Sequence, residues 1–264
     1  MSPGTASGPL AGRAVVVTRP EEHATPLAES IVRAGGEAVL FPTIATAPPR
    51  DTGALEQIIA GLERFQIAVF VSETAAVRGC EAVLARRAWP EQLRVTAVGG
   101  GTARRLEQFG LHPLAPSGQA DSESLAALPE MQDVAGRAVV IFRGEGGREW
   151  LREELERRGA RVQYAECYRR LPASAQNLGQ LLARWQRGGV DAVSITSSEG
   201  LANLFGMLGP TGKNYLRATP VFVLHPRIAE AARDLGVREV VVTGPGEERA
   251  VAAMARFFAK VAIR

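Results

Sequence analysis

The stretch Gly136–Arg170, GRAVVIFRGEGGREWLREELERRGARVQYAECYRR, decides the fold. Ala138, Val139, Val140, Ile141 and Phe142 form a short apolar run rich in β-branched residues, the pattern of a buried strand. Gly144-Glu145-Gly146-Gly147 then reads as a turn. A helix follows, with Trp150, Leu151 and Leu155 on one face and the i,i+4 pairs Glu153/Arg157 and Glu154/Arg158 on the other. Gly159 suits the left-handed residue that ends such a helix. Arg161 to Tyr168 is a second extended segment. The turn of this strand–turn–helix–strand unit offers backbone N–H groups and the positive end of a helix dipole, which together suit an anion. Arg143 falls at the strand's C-terminal end, where ligands of open α/β sheets lie.

The unit occurs twice. Gly12–Gly35, GRAVVVTRPEEHATPLAESIVRAG, aligns without gaps on Gly136–Gly159 at an offset of 124, with eleven of 24 positions identical. The identities include Gly12/Gly136, Arg19/Arg143, Leu27/Leu151 and Gly35/Gly159. A period this long excludes a solenoid and points to duplication of an α/β half.

The 264 residues suffice for two ordinary domains or one large one. No apolar run approaches the roughly 20 residues of a membrane helix, so no membrane partner is expected. The first eleven residues, MSPGTASGPLA, lack the basic and apolar regions of a signal peptide and read as a disordered tail. Cys80 and Cys167 form no metal or disulfide pattern, which makes the cytoplasm the expected location. The net charge of +3 is mild, and no basic cluster interleaved with aromatics suggests nucleic acid.

In chain order, Ala14–Thr18 reads as a strand, Glu22–Ala34 as a helix and Glu37–Phe41 as extended. Pro42, Pro48 and Pro49 exclude a helix from the next segment. That segment matches AECYRRLPA at the same offset, so both look like connectors. A helix is predicted over Asp51–Arg64 and a buried strand over Ile67–Val71, opening into Ser72-Glu73-Thr74. At the offset of 124, Ala192–Ile195 opens into Thr196-Ser197-Ser198-Glu199-Gly200. Small hydroxyl residues at these strand-to-helix turns read equally as N-caps and as groups aimed at a ligand carboxylate. Leu93–Val98 leads into Gly99-Gly100-Gly101-Thr102, which is neither a Walker loop nor a dinucleotide fingerprint. Its counterpart, at an offset of 126, is Val221–Leu224 followed by His225-Pro226-Arg227-Ile228. Asp121-Ser122-Glu123 reads as a capped helix start, and Val237–Val242 as the last strand before a final helix.

No Cys/His cluster has metal-ligand spacing, and no histidine stands in a motif with a nucleophilic serine. Neither a metal nor a cofactor is therefore expected. What remains is a set of strand-to-helix turns rich in Gly, Ser, Thr and Arg, the make-up of an anion-binding site.

The chain resembles the uroporphyrinogen-III synthases from about Gly12 to the final helix. The resemblance is carried by VTRP at Val17–Pro20, AVGGGTARRL at Ala97–Leu106, DSESL at Asp121–Leu125, FRGEGGREWL at Phe142–Leu151 and ECYRR at Glu166–Arg170. It implies an α/β fold of two similar lobes. Each would be a parallel, Rossmann- or flavodoxin-like sheet flanked by helices, and a two-stranded connector would join them. One lobe would comprise 12–42 plus 171–264 and the other 47–166, with 43–46 and 167–170 as connector strands.

The same resemblance implies an enzyme of tetrapyrrole (heme) biosynthesis. It would dehydrate and cyclise hydroxymethylbilane, a small polycarboxylate, with inversion of ring D, as a monomer and without a cofactor. Tyr168 matches the family tyrosine proposed to assist departure of the hydroxyl. Arg19, Ser72, Thr74, Gly99, Gly100, Gly101, Thr102, Arg143, Ser197, Ser198, His225 and Arg227 are the candidate substrate-binding residues. Arg227 and Ile228 depart from the small-hydroxyl form of the second-half turn, and Glu73-Thr74 from a frequent Pro-Asn pair. A structural connector tyrosine is the competing reading of Tyr168. A non-catalytic two-lobe protein that binds an anionic small molecule is the competing reading of the chain.

Overall fold

The computed structural model describes residues 7–118 and 121–261. In chain order it runs β1 (Ala14–Val17), α1 (Glu21–Arg33), β2 (Glu37–Leu40), β3 (Ile44–Ala47), α2 (Thr52–Ala60), β4 (Ile67–Phe70), α3 (Glu73–Leu84), β5 (Arg94–Ala97), α4 (Gly100–Glu107), α5 (Ser122–Ala126), β6 (Ala138–Gly144), α6 (Trp150–Arg157) and β7 (Arg161–Pro172). It continues with α7 (Leu178–Gln186), β8 (Ala192–Ile195), α8 (Ser198–Met207), α9 (Pro210–Ala218), β9 (Val221–Val223), α10 (Pro226–Asp234), β10 (Val240–Val242) and α11 (Glu247–Val261). The chain divides into two compact units. One contains the described residues up to Ala45 and those from Leu171 onward; the other is Thr46–Arg170.

The first unit is built on a sheet of order β10-β9-β8-β1-β2. Its strands pair in parallel throughout. Val15, Val16 and Val17 are fully buried, because both faces of the sheet are covered. One face packs a cluster that includes Trp185, Leu204 and Ile228; the other packs one that includes Leu27, Met254 and Phe258. The second unit has the order β3-β7-β6-β4-β5, with parallel β5-β4-β6-β7. Its two faces are covered around Phe70 and Phe142, and around Leu151 and Leu155. β1 thus pairs with β8 of the second sequence half on one side, and β6 with β4 of the first.

The duplication is visible in the ladder. Ala14 pairs with Glu37, and Ala138 with Arg161, so one offset of 124 carries the first pair onto the second. Gly12 and Gly136 have φ of 72° and 74°, and Gly35 and Gly159 of 84° and 87°. This is left-handed backbone that favours glycine. For the next strand the offset differs from expectation. Val15 pairs with Ala192 while Val139 pairs with Ile67, and the N-caps are Ser72 and Ser197, an offset of 125. The expected 126 holds for the N-caps Gly99 and His225.

Three expectations are corrected. Of the expected disordered tail 1–11, residues 1–6 lie outside the described residues, but Leu10 is fully buried and its N–H donates to the Ala34 carbonyl at 2.9 Å. The helix expected over Asp51–Arg64 stops at Ala60, where Gly61 introduces a single 3₁₀ turn, Leu62–Arg64. Arg157 pairs with Glu154 rather than with Glu153, so Glu154 serves both Arg157 and Arg158.

Candidate active site

In the second sheet β4 and β6 are neighbours, yet β4 leads on to β5 on one side and β6 to β7 on the other. A ligand of an open α/β sheet sits at such a switch point, beyond the carboxyl ends of the strands. A cavity of about 240 Å³ lies there, lined by Ser72, Arg143, Gly144, Arg148, Tyr168 and Arg170 among others. Larger hollows exist beside β2 and α7, about 450 Å³, and beside α2 and α3, about 400 Å³. Both lie away from the switch point, so position and converging polar groups single out the smaller one.

Tyr168 reaches this cavity through an irregularity in β7. Arg143 pairs with Glu166, but Gly144 pairs with Tyr168, which leaves Cys167 as the extra residue of a bulge. Regular alternation would send adjacent residues to opposite faces. Here Cys167 and Tyr168 both join the cluster around Phe70 and Phe142, in keeping with the tendency of bulges to re-aim side chains near functional sites. Tyr168 is 5% exposed. It lies against Gly144, where a Cβ would come within 2.7 Å of Tyr168 Cζ. Tyr168 Oη is 3.3 Å from Ser72 Oγ, which also accepts from Ala75 N–H at 3.0 Å as the N-cap of α3. Burial pushes the neighbouring Cys167 thiol up to about 12, so it stays protonated.

Arg143 has another task than the one expected of a free ligand contact. Its buried guanidinium donates to the Gly144 carbonyl at 3.2 Å, to the Gly146 carbonyl and to Glu149 Oε1 at 3.0 Å. It also stacks 4.3 Å above the Tyr164 ring. It therefore ties the glycine-rich turn to α6. Tyr164 Oη donates to Glu149 Oε2 at 2.6 Å. Desolvation, reinforced by this bond, pushes the Tyr164 phenol up to about 12. The Tyr164 hydrogen bond, with Arg143 beside it, holds the Glu149 carboxyl below its usual range.

The other expected residues of this unit sit at neighbouring helix starts. Ser72 caps α3 and Thr74 lies in its first turn. Gly99 to Thr102 open α4, Thr102 is buried, and a Cβ on Gly101 would meet Glu73 Oε1 at 2.5 Å. None of Thr74, Gly99, Gly100, Gly101 and Thr102 lines the cavity. Arg148, Ser122 and Tyr164 line it without being among the candidate residues, and Arg170, which follows Tyr168 in ECYRR, lines it too. For Arg148 the signal was there: it follows the glycine-rich turn. The Asp121 side chain caps α5 by accepting from Ser124 N–H at 2.7 Å.

The carboxyl edge of the first sheet holds the remaining candidates. Arg19 follows β1 and pairs with Glu247 of α11 at 2.8 Å. Ser197 caps α8 by accepting from Gly200 N–H at 2.9 Å, and Ser198 is the first residue of that helix. Thr43 Oγ1 donates to the Thr18 carbonyl and lies close to Gly200, where a Cβ would be 3.1 Å from both this oxygen and Ser197 Oγ. His225 caps α10: its Nδ1 accepts from Arg227 N–H at 3.2 Å. A histidine cap was not legible in advance, because serine, threonine, aspartate and asparagine dominate that position. His225 and Arg227 are both exposed.

Together the topology and the turns define a class: a two-unit parallel α/β protein with polar strand-end turns suited to a small anionic ligand. Among the described residues no helix is long and apolar enough to cross a membrane. A family model described as "Uroporphyrinogen-III synthase HemD" matches residues 25–252. The chain belongs to the uroporphyrinogen-III synthase family. It is 32% identical to the uroporphyrinogen-III synthase of Salmonella typhimurium and 31% to that of Escherichia coli, covering in each case 90% of this chain and 97% of the relative. In fold it is similar to a crystal structure of the Thermus thermophilus uroporphyrinogen III synthase, with a TM-score of 0.60 at 21% identity over 96% of this chain and 100% of the other. It is also similar to the Helicobacter pylori uroporphyrinogen-III synthetase structure, with a TM-score of 0.59 at 10% identity over 96% of this chain and 100% of the other.

Proposed function

We propose that this chain is a uroporphyrinogen-III synthase, an enzyme that converts hydroxymethylbilane to uroporphyrinogen III and water, with Tyr168 as its proton donor. The observation that carries the assignment of Tyr168 is its hydroxyl at the switch-point cavity, beside Ser72 and near Arg148 and Arg170. The C–O bond of the hydroxymethyl group on ring A breaks, and the departing hydroxide takes the phenol proton. The azafulvene cation so formed is attacked by the substituted carbon of ring D. The spiro intermediate breaks, ring D is inverted, and the macrocycle closes. The proton released as ring D regains its aromaticity restores the phenol.

A pyrrole is electron-rich enough to need little nucleophilic help. The protein's work is therefore to fold the substrate, hold its carboxylates and donate one proton. Arg148, Arg170 and the helix starts at Ser72 and Gly99–Thr102 suit the carboxylates. We take 12–42 with 171–264, and 47–166, as the two functional lobes, with 43–46 and 167–170 as connector strands. We read the protein as a cytoplasmic monomer, and sedimentation at micromolar concentration tests the oligomeric state. The activity is tested by adding freshly made hydroxymethylbilane and separating the oxidised products. The type III isomer in excess over type I supports the assignment. Type I alone, at the rate seen without protein, leaves a protein that binds without chemistry.

A further inference from the structure

We propose that Ser72 is a positioning residue for Tyr168: it donates its hydroxyl proton to the phenol oxygen, so that the phenol's own proton faces the cavity. The inference rests on the reading of Tyr168 as the proton donor.

The argument is one of donors and acceptors. Ser72 Oγ accepts from Ala75 N–H at 3.0 Å and lies 3.3 Å from Tyr168 Oη. A serine hydroxyl has one proton and two lone pairs, and a phenol has a single proton. Were Tyr168 to donate to Ser72, its only proton would be engaged in that bond and not available to a ligand in the cavity. With the reverse polarity Ser72 keeps its bond from Ala75, gives its proton to the phenol oxygen, and leaves the phenol proton available. The setting favours this polarity. Ser72 sits at the start of α3, a helix of 12 residues. The positive end of that dipole draws electron density towards the serine oxygen and stabilises negative charge building on Tyr168. The ring is fixed for the purpose. Tyr168 is 5% exposed, its ring bears on Gly144, and it is set by the bulge at Cys167. The cap and the bond to the phenol thus use different capacities of one oxygen, and they can be separated.

The test is a set of variants assayed with hydroxymethylbilane at saturation and by thermal melting. Ser72→Ala is expected to lower kcat roughly five- to tenfold, the loss of about one hydrogen bond, and Ser72→Thr to restore it. Ser72→Asp retains an excellent N-cap but cannot donate when ionised, so it should melt like wild type and turn over like Ser72→Ala. In a Tyr168→Phe background, Ser72→Ala should lower kcat no further, because Ser72 enters the chemical step only through the phenol; a carboxylate contact at the start of α3 would show in KM instead. A full additional loss in that background, or a Ser72→Asp enzyme with wild-type kcat, overturns the positioning role while leaving Tyr168 as donor. Wild-type turnover by Tyr168→Phe alone overturns both, and the wild-type product pattern then decides whether the chain is a synthase at all.

Discussion

Gly144 and the ring of Tyr168 are in direct contact: a Cβ at position 144 would stand 2.7 Å from Tyr168 Cζ and 3.1 Å from its hydroxyl oxygen. Gly144 is not among the glycines with positive φ, so the demand for glycine comes from the ring and not from the backbone. Gly144→Ala should displace the tyrosine and destabilise the second unit by about 1–3 kcal/mol, the usual range for overpacking. Denaturant titration and steady-state turnover should fall together. Unchanged values of both would mean the ring yields freely and is not held in place.

Arg143 and Arg19 hold matching positions in the two copies of the duplicated unit, yet they should respond differently to the same change. Arg143 closes the glycine-rich turn with three bonds from a guanidinium that is 6% exposed. Arg143→Gln should cost roughly 2 kcal/mol. Arg19 makes one partly exposed pair with Glu247, so Arg19→Gln should cost less than about 1 kcal/mol. Urea unfolding of the two variants measures the difference. Equal costs would contradict the structural task given to Arg143.

Gly12 and Gly136 share left-handed backbone, and neither has any atom within 4 Å of an added Cβ. Alanine at either site meets conformational strain alone. Each substitution should therefore cost about 1–2 kcal/mol, and the two costs should agree within experimental error. A large difference between their melting temperatures would mean that the repeated turn does different work in the two units.

These turns show which features a sequence can carry. The offset of 124 exposed Gly12/Gly136, Gly35/Gly159 and the strand–turn–helix between them, because local backbone geometry selects glycine directly. The bulge at Cys167 left no such mark, since one extra residue in a ladder changes pairing without changing composition. The partner of Arg19 was hidden for another reason: Glu247 lies 228 residues away. Leu10 carries no such mark, since a lone leucine among small residues has no periodicity, although it fills a place beside Ala34. At the candidate site, Tyr168 was legible through ECYRR. Its contacts with Ser72 and Gly144 depend on tertiary structure that no local pattern encodes.

The burial of Tyr164 and its bond to Glu149 tie stability to pH on both sides of neutrality. The phenol rises from 10.0 to about 12 in the folded protein. Its contribution is complete below about pH 10 and is lost as pH climbs towards 12. Glu149 lies below its ordinary 4.5 in the fold. Its contribution is complete above that value and is lost as pH falls through the lower one. Tyr164→Phe should reduce both slopes in a plot of melting temperature against pH. A variant whose curve parallels wild type at both ends would contradict the coupling.

The most direct measurement is turnover of hydroxymethylbilane to the type III isomer by wild type and Tyr168→Phe, side by side. Phenylalanine keeps the ring on Gly144 and removes only the hydroxyl. If Tyr168 gives its proton to the departing hydroxide, type III formation should fall roughly 10²-fold. Melting temperature and product affinity should stay near wild type, since the loss belongs to the transition state. Type III formation at the wild-type rate by the Tyr168→Phe enzyme would contradict the account.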